Sequence, residues 1–368
     1  MRRVLKGVYQ KDDGLHFSPN RTRYLLLLVR DDLQKNGTSL EFLTGHTDSL
    51  DGARAQVVAT LFTTSAADMM TGLRPALSDP FTGLSSLSWL DEDRVTFGWS
   101  DGNSPTQIKM LNLRTRELTA LTDHPTPVQD FSLSPDGSRA MYKAHKPAPA
   151  ERARHVEAMR RDGFAVGDSL NIYHLLFGFY DGRAPWEDIE TYVARTSDRT
   201  PSAVKCISRN CDYSQDFSAP EPFSPNGRYV LVQLSPLMNR DPQWTRYTQP
   251  ELRHVINSQS AATHLSQVGV VDIEQGTLRE LWGAPRRVVT NDKVGVLWSR
   301  DSKHLIVGPT LMPVHGADEE GLAGRAFAEV DVATGRFVRI PRPSASDALR
   351  LERVERDGVL VMADDSTE

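Results

Sequence analysis

Four stretches of this chain carry one phrase: a strand-like run, a serine, a tight polar turn and a second strand-like run. They read HFSPNRTRYLLLLV (16–29), SLSPDGSRAMYKA (132–144), PFSPNGRYVLVQL (222–234) and LWSRDSKHLIVGP (297–309). In SPDG, Pro135 fixes φ near the value needed at the second position of a type I turn. Asp136 can hydrogen-bond its own backbone, and Gly137 takes the positive φ that ends such turns. Pro225, Asn226 and Gly227 fill the same places in SPNG. The equivalent place in SPNR is Arg21, which is expected to avoid positive φ or to lie in a looser turn. The flanks alternate, with Phe131, Leu133, Ala140 and Tyr142 on one side and Arg139 and Met141 on the other. Each phrase therefore predicts a β-hairpin with one buried face.

SWLDEDRVTFGWS (88–100) and RVERDGVLVMA (353–363) read as looser copies. The spacings are about 46 residues from Ser88 to Ser134, about 90 from Ser134 to Ser224 and about 75 from Ser224 to Ser299. A second phrase follows several of the first: IKMLNLRTRELTALTDHP (108–125), VGVVDIEQGTLRELWG (268–283) and AFAEVDVATGRFVRIP (326–341). Each has a strand, a turn and another strand, the form of an outer hairpin. All-strand units repeating at about 40–50 residues indicate four-stranded propeller blades. The expectation is an all-β fold, a β-propeller of about six or seven four-stranded blades, as one domain over 1–368.

The 368 residues suffice for one large propeller, and 39% hydrophobic with 25% charged residues is ordinary for a globular chain. A net charge of -5 gives no basic footprint for nucleic acid. No apolar run is long enough for a membrane span, and RYLLLLVR reads as a buried strand. The N-terminal MRRVLKGVYQKDDGLHF lacks the apolar stretch of a signal peptide. The pattern breaks over 145–200. A charged helix is predicted at 150–162, stopped by Gly163, within an insertion of about 147–165. Strand-like alternation then resumes through YDGR to ETYVAR.

A search for chemistry finds no Gly-x-Ser-x-Gly elbow, no HExxH, no phosphate loop and no GxGxxG. TGLSSLSW (82–89) is the nearest serine cluster and reads as the start of a strand. His315, Asp318, Glu319 and Glu320 in VHGADEEG read as an acidic surface loop in preference to a metal site. His124, in LTDHP, reads as a solvated turn histidine. NRT (20–22) and NGT (36–38) match glycosylation sequons only in pattern. Cys206 and Cys211 cannot form a tetrahedral zinc site alone. On the residues, a local disulfide and two separate thiols both stay open. No cofactor, metal or catalytic residue is expected.

The two hairpin phrases together resemble the propeller of prolyl-oligopeptidase-family serine peptidases and of TolB-type proteins. Within the first group the chain looks most like lasso-peptide isopeptidases. LLLLVRDDLQKNGTSLEFL (25–43), the insertion ERARHVEAMRRDGFAVGDSLNIY, the cysteine pair ahead of FSPNGRYV, and LWSRDSKHLIVGPTLMPVHG before AFAEVDVATG carry that likeness. The resemblance implies a peptide substrate, such as a lasso peptide, and an α/β-hydrolase domain that supplies a Ser-Asp-His triad in cis or in trans. No triad residue can be carried over to this chain. The implied role is a non-catalytic propeller that binds, gates and orients the peptide; the alternative is a free-standing TolB-like platform for protein partners. Export, implied by the same resemblance, would favour a Cys206–Cys211 disulfide pinning a local turn.

Overall fold

In the computed structural model, the described residues are 2–4, 15–32, 34–35, 37–48, 55–63, 84–101, 104–147, 154, 158, 189–207, 223–234, 241–257, 265–287, 295–315, 326–340, 349–354 and 360–364. The chain divides into two compact units, Met1–Ala203 and Val204–Glu368.

The first unit holds three sheets. In sheet 1, β1 (Arg2–Val4) and β2 (Leu15–Phe17) share one edge of β3 (Arg23–Asp32), followed by β4 (Gly37–His46) and β5 (Gln56–Thr63). Sheet 2 is β6 (Leu84–Trp89), β7 (Arg94–Trp99), β8 (Gln107–Asn112) and β9 (Leu118–Ala120); sheet 3 is β10 (Val128–Leu133), β11 (Arg139–His145), β12 (Ile189–Arg195) and β13 (Ser202–Ala203). Both are antiparallel meanders in chain order. Leu25, Leu27, Phe42, Val95, Phe97 and Leu111 form a core between sheets 1 and 2, with the Phe42 and Phe97 rings 5.0 Å apart. Each such side chain, fully buried, contributes about 1.5–3 kcal/mol.

The second unit holds the rest. Sheet 4 has the order β15 (Tyr229–Leu234), β16 (Leu265–Asp272), β17 (Thr277–Arg287) and β14 (Lys205–Cys206), the last pair being parallel. Its innermost place is marked by the single bridge Phe223↔Val230. Sheet 5 is the meander β18 (Gly295–Trp298), β19 (His304–Thr310), β20 (Ala326–Asp331) and β21 (Phe337–Ile340), and β22 (Leu349–Val354) pairs with β23 (Leu360–Asp364). A 3-10 turn (Pro242–Arg246) and a helix α1 (Pro250–Asn257) lie between β15 and β16. Sheets 2, 3 and 5 have the four-stranded antiparallel form of propeller blades. Six sheets are present among the described residues.

The four copies of the opening phrase are one hydrogen-bonded device. Residue four donates its N–H to the serine carbonyl: Arg21 to Ser18 at 2.8 Å, Gly137 to Ser134 at 2.8 Å, Gly227 to Ser224 at 2.8 Å and Ser302 to Ser299 at 3.0 Å. The serine hydroxyl donates to the Asp or Asn at residue three, at 3.1, 2.6, 2.7 and 2.6 Å. That carboxylate or amide oxygen also accepts the N–H of residue five. The serine oxygen accepts the N–H of residue six, the first residue of the next strand or its neighbour. Gly137 and Gly227 have φ 76° and 68°, as the sequence predicts.

Arg21 departs from expectation. Its φ is 58°, and Ser302 in the fourth copy has φ 61°. The turn is as tight as the glycine copies, because its hydrogen bonds fix the backbone and the exposed Arg21 side chain meets no obstruction. The expectation of one buried face holds for most of β3 and β19 but fails for β11 and β15. Ala140, Met141, Tyr142, Lys143 and Ala144 are all buried, because an interior strand of a stacked sheet is covered on both faces.

The looser copy at 88–100 is the β6–β7 hairpin and the copy at 353–363 pairs β22 with β23. The second phrase forms the β8–β9, β16–β17 and β20–β21 hairpins. There Asn112, Asp272 and Asp331 accept N–H bonds from the turn, and Arg116, Gly276 and Gly335 take positive φ. Of the helix predicted at 150–162, Arg154 and Ala158 are helical and the other residues lie outside the described ones, as does YDGR.

Candidate functional site

Strands of a meander alternate in direction, so the first-to-second and third-to-fourth turns share one end of a sheet. The second-to-third connection lies at the other. The turn ends interlock within each unit. In the first, Asn20 N–H donates to Glu92 Oε1 at 2.7 Å, Arg23 Nη1 meets Asp93 Oδ1 at 2.7 Å, and a Cβ on Gly137 would stand 2.7 Å from Leu90 Cδ2. In the second, Asn226 N–H donates to Ser302 Oγ at 3.1 Å and Arg279 Nη2 to the Val332 carbonyl. Burial alone would raise Asp136; hydrogen bonds from Ser134 and Ser138 outweigh it and hold the carboxyl below its ordinary range. These ends are closed by structure.

The opposite ends carry the length. The second-to-third connections are residues 33–36 and 100–106 in sheets 1 and 2, but 146–188, 235–264 and 311–325 in sheets 3, 4 and 5. The uneven lengths make these ends the candidate binding surface, since loops on a rigid scaffold are where recognition is placed.

In the first unit this end is built round His124. The sequence suggests a solvated turn histidine; the structure buries it to 2% exposure. Gln107, at the start of β8, holds the segment by accepting the His124 N–H at 2.9 Å and donating to the His124 carbonyl at 2.8 Å. The imidazole centroid lies 4.5 Å from that of Tyr192 and 5.6 Å from that of Tyr142. Its Nδ1 is 3.2 Å from both the N and the O of Thr126. Burial pushes the imidazole below its ordinary range, against a smaller opposite effect of the Thr126 backbone. Thr126 Oγ1 donates to the His145 carbonyl at 2.7 Å, tying this connection to the end of β11, and Gln129 Nε2 meets His145 Nε2 at 2.8 Å. Burial and then Tyr192 push the Tyr142 phenol up, and its buried Oη has no hydrogen-bond partner among the described residues. Tyr192 Oη donates to Glu190, which pairs with Lys146 at 3.0 Å. The rim is charged and the interior aromatic.

In the second unit the end is capped by the 3-10 turn and α1. Asp241 Oδ1 accepts the Gln243 N–H at 2.9 Å, and Pro242 follows it, so DPQW is a start signal. Trp244 is fully buried and donates from Nε1 to the Gly283 carbonyl at 3.1 Å. Tyr247, also fully buried, donates to the Met312 carbonyl at 2.7 Å, and Trp282 donates to the Leu311 carbonyl at 3.1 Å. Leu311 and Met312 are the apolar residues of the loop that interrupts sheet 5, and both are buried. His315 Nε2 is 3.5 Å from Asp241 Oδ2, linking the two connections. Burial, and then Asp241, push the Glu280 carboxyl up.

Among the described residues no group of three His, Cys, Asp or Glu could hold a metal ion, and no helix is long and apolar enough to cross a membrane. Asp318, Glu319, Glu320 and Asn36 lie outside the described residues. Asn20, in the other sequon, uses Oδ1 within its turn. Cys206 ends β14 and is disulfide-bonded, while Cys211 lies outside the described residues. Pro135, Asp136, Gly137, Pro225, Asn226 and Gly227 all lie at the closed ends, away from the candidate surface. Trp244, Tyr247 and Trp282, which shape it, were not singled out by the sequence; the Asp-Pro start at 241 was the signal available.

No protein-family model matches the chain, and no curated protein matches it. Among solved structures it is similar to the AtxE2 isopeptidase without ligand, at 12% identity and a TM-score of 0.39, over 98% of this chain and 57% of that one. It is similar to TolB from Acinetobacter baumannii at 13% identity and a TM-score of 0.35, over 94% of this chain and 61% of that one. A puromycin hydrolase is similar at 10% identity and a TM-score of 0.35, over 81% and 33%. The chain thus spans less than two thirds of these proteins. The likenesses assign it no activity.

Proposed function

We propose that residues 1–368 form one propeller domain that binds and orients a peptide for an α/β-hydrolase domain, supplied in cis or in trans. The contrast between the two sheet ends carries this reading. Within each unit one sheet end is locked by repeated turns, and the other carries the longer connections and buried aromatic residues such as Tyr142 and Trp244. Long connections beside a charged rim suit an extended or looped peptide, and selecting by shape needs no nucleophile in this chain. The hairpin phrases that resemble isopeptidase propellers support the same direction.

The test is calorimetric titration of the folded chain with an isopeptide-bonded lasso peptide and with its linear counterpart. Saturable binding is expected, tighter for the threaded form. Arg246→Glu and His315→Ala, both at exposed positions of the capped end, should weaken it by about tenfold, equivalent to about 1.4 kcal/mol. Lack of saturable binding by either peptide would overturn the peptide reading and favour a platform for folded protein partners.

A further inference from the structure

At the closed end of the first unit, turn positions that favour glycine hold arginine. Arg21, Arg116 and Arg199 have φ 58°, 64° and 58°. Arg21 stands where sheets 3 and 4 have Gly137 and Gly227. Arg116 and Arg199 donate their N–H to the Asn112 and Arg195 carbonyls, as Gly335 does to Asp331 in sheet 5. The second unit has Gly227, Gly276, Ser302 and Gly335 at such places. Positive φ strains any side chain, and these turns close through the backbone, so arginine adds nothing to them that glycine lacks. An outlier repeated on three neighbouring sheets points beyond the turn itself.

The three side chains are unengaged. All are exposed, and none of the three guanidinium groups has a hydrogen bond or ion pair among the described residues. The carboxylates between them are taken: Asp93 by Arg23 at 2.7 Å, Asp91 by Arg94 at 2.6 Å, Glu92 by the Asn20 N–H at 2.7 Å and Asp136 by Ser134 at 2.6 Å. Asp48, Glu117 and Asp198 remain as exposed acids, while Arg114 and Arg195 add to the exposed arginines. Among the described residues of this unit no lysine lies at this end. Lys35 and Lys146 are at the other end, and Lys109 and Lys143 lie within strands. Phe17, Val57 and Leu118, 47%, 45% and 37% exposed, all stand within a few residues of these turn ends.

We infer that the turn end of the first unit is a docking surface for a protein partner that presents carboxylates between apolar side chains. A guanidinium is a planar fork that grips a carboxylate through two N–H bonds, whereas an ammonium is a point charge, so a surface of arginine without lysine suits the former. Arginine and aromatic residues are also those enriched at protein interfaces. A bilayer fits less well, because the apolar residues sit on strands behind the arginine-bearing turns and would not reach the acyl region first. A nucleic acid would approach a chain of net charge -5. The interlocked turns make the surface preformed, so it loses little freedom on binding. It lies opposite the proposed peptide surface and does not depend on it.

The test is fluorescence anisotropy of a labelled peptide alternating glutamate with leucine, titrated with the full chain, beside the same peptide with glutamine in place of glutamate. Saturable binding of the glutamate peptide alone is expected, weakening as salt rises. Arg21→Gly, Arg116→Gly and Arg199→Gly should each weaken it by about threefold, and the triple variant by at least about tenfold. Arg116→Lys should weaken it too, since the charge stays and the fork is lost. Urea midpoints should not fall in the glycine variants, because strain is relieved; a fall would assign the arginines to the fold and overturn the proposal. Absence of saturable binding, equal binding of both peptides, or unchanged binding by the triple variant would overturn it as well. Tighter binding to phosphatidylglycerol vesicles than to the glutamate peptide would make the surface a membrane contact. A dimer seen in sedimentation and lost in the triple variant would make the partner a second copy. Either result overturns a distinct acidic partner.

Discussion

Gly137 and Gly227 sit at equivalent points of two turns and are not equivalent in their surroundings. Both have positive φ, which strains a branched side chain by about 1–2 kcal/mol. Gly137 also stands against Leu90, so Gly137→Val should cost more than about 2 kcal/mol and Gly227→Val about 1–2 kcal/mol. Arg21 bears the same strain without glycine's freedom. Arg21→Gly should therefore stabilise by about 0.5–1 kcal/mol, the relief exceeding the entropy glycine adds to the unfolded chain. Urea midpoints of the three variants check the order; equal midpoints for all would show that the turns bear no strain. Gly102, in a loop of related composition, lies outside the described residues. His124 makes a separate prediction. Burial depresses its folded pKa below the ordinary histidine value of 6.5, so between the two values the unfolded chain binds the extra proton. Stability should be complete above about pH 6.5 and fall as pH drops through that value towards the folded pKa. Urea midpoints between pH 7.5 and 5.5 should show the decline, and His124→Gln should flatten it. A decline of the same size in the variant would assign it to another group.

At the scale of elements, the 3-10 turn and α1 depend on anchors more than on their own propensity. A helix as short as Pro250–Asn257 is marginal alone. Trp244, fully buried, is what fastens the connection to sheet 4, so Trp244→Ala should cost about 3–5 kcal/mol. Tyr247→Phe keeps the ring and strands the Met312 carbonyl, for a loss of about 1–3 kcal/mol. Thermal unfolding of the pair measures both, and a Tyr247→Phe midpoint equal to the parent's would show that its hydrogen bond holds nothing. The hairpins of sheets 2 to 5 were readable because turn chemistry and period-two alternation are local. The Asp-Pro start at 241–242 and Pro250 at the start of α1 were as local in kind, yet the burial of Trp244 depends on Gly283, far along the chain.

The molecule as a whole divides into two compact units, whereas a single propeller requires them to act as one. If residues 1–368 are one domain, tryptophan fluorescence and far-ultraviolet circular dichroism should report one coincident unfolding transition. Two separated transitions would make each unit a domain of its own. The folded chain should also resist a serine-directed fluorophosphonate, since no Gly-x-Ser-x-Gly elbow is present. Specific labelling abolished by one serine substitution would contradict that. The repeated phrases determined the all-β class, the order of hairpins and the positive φ at Gly137 and Gly227, because a turn's conformation is set by the few residues within it. The positive φ of Arg21, the burial of both faces of β11, the burial of His124 against Tyr142 and Tyr192, and the parallel seat of β14 on β17 were decided by tertiary structure. Each depends on groups distant in sequence that supply a hydrogen bond, a ring or a covering face, and spacing along the chain contains no measure of that.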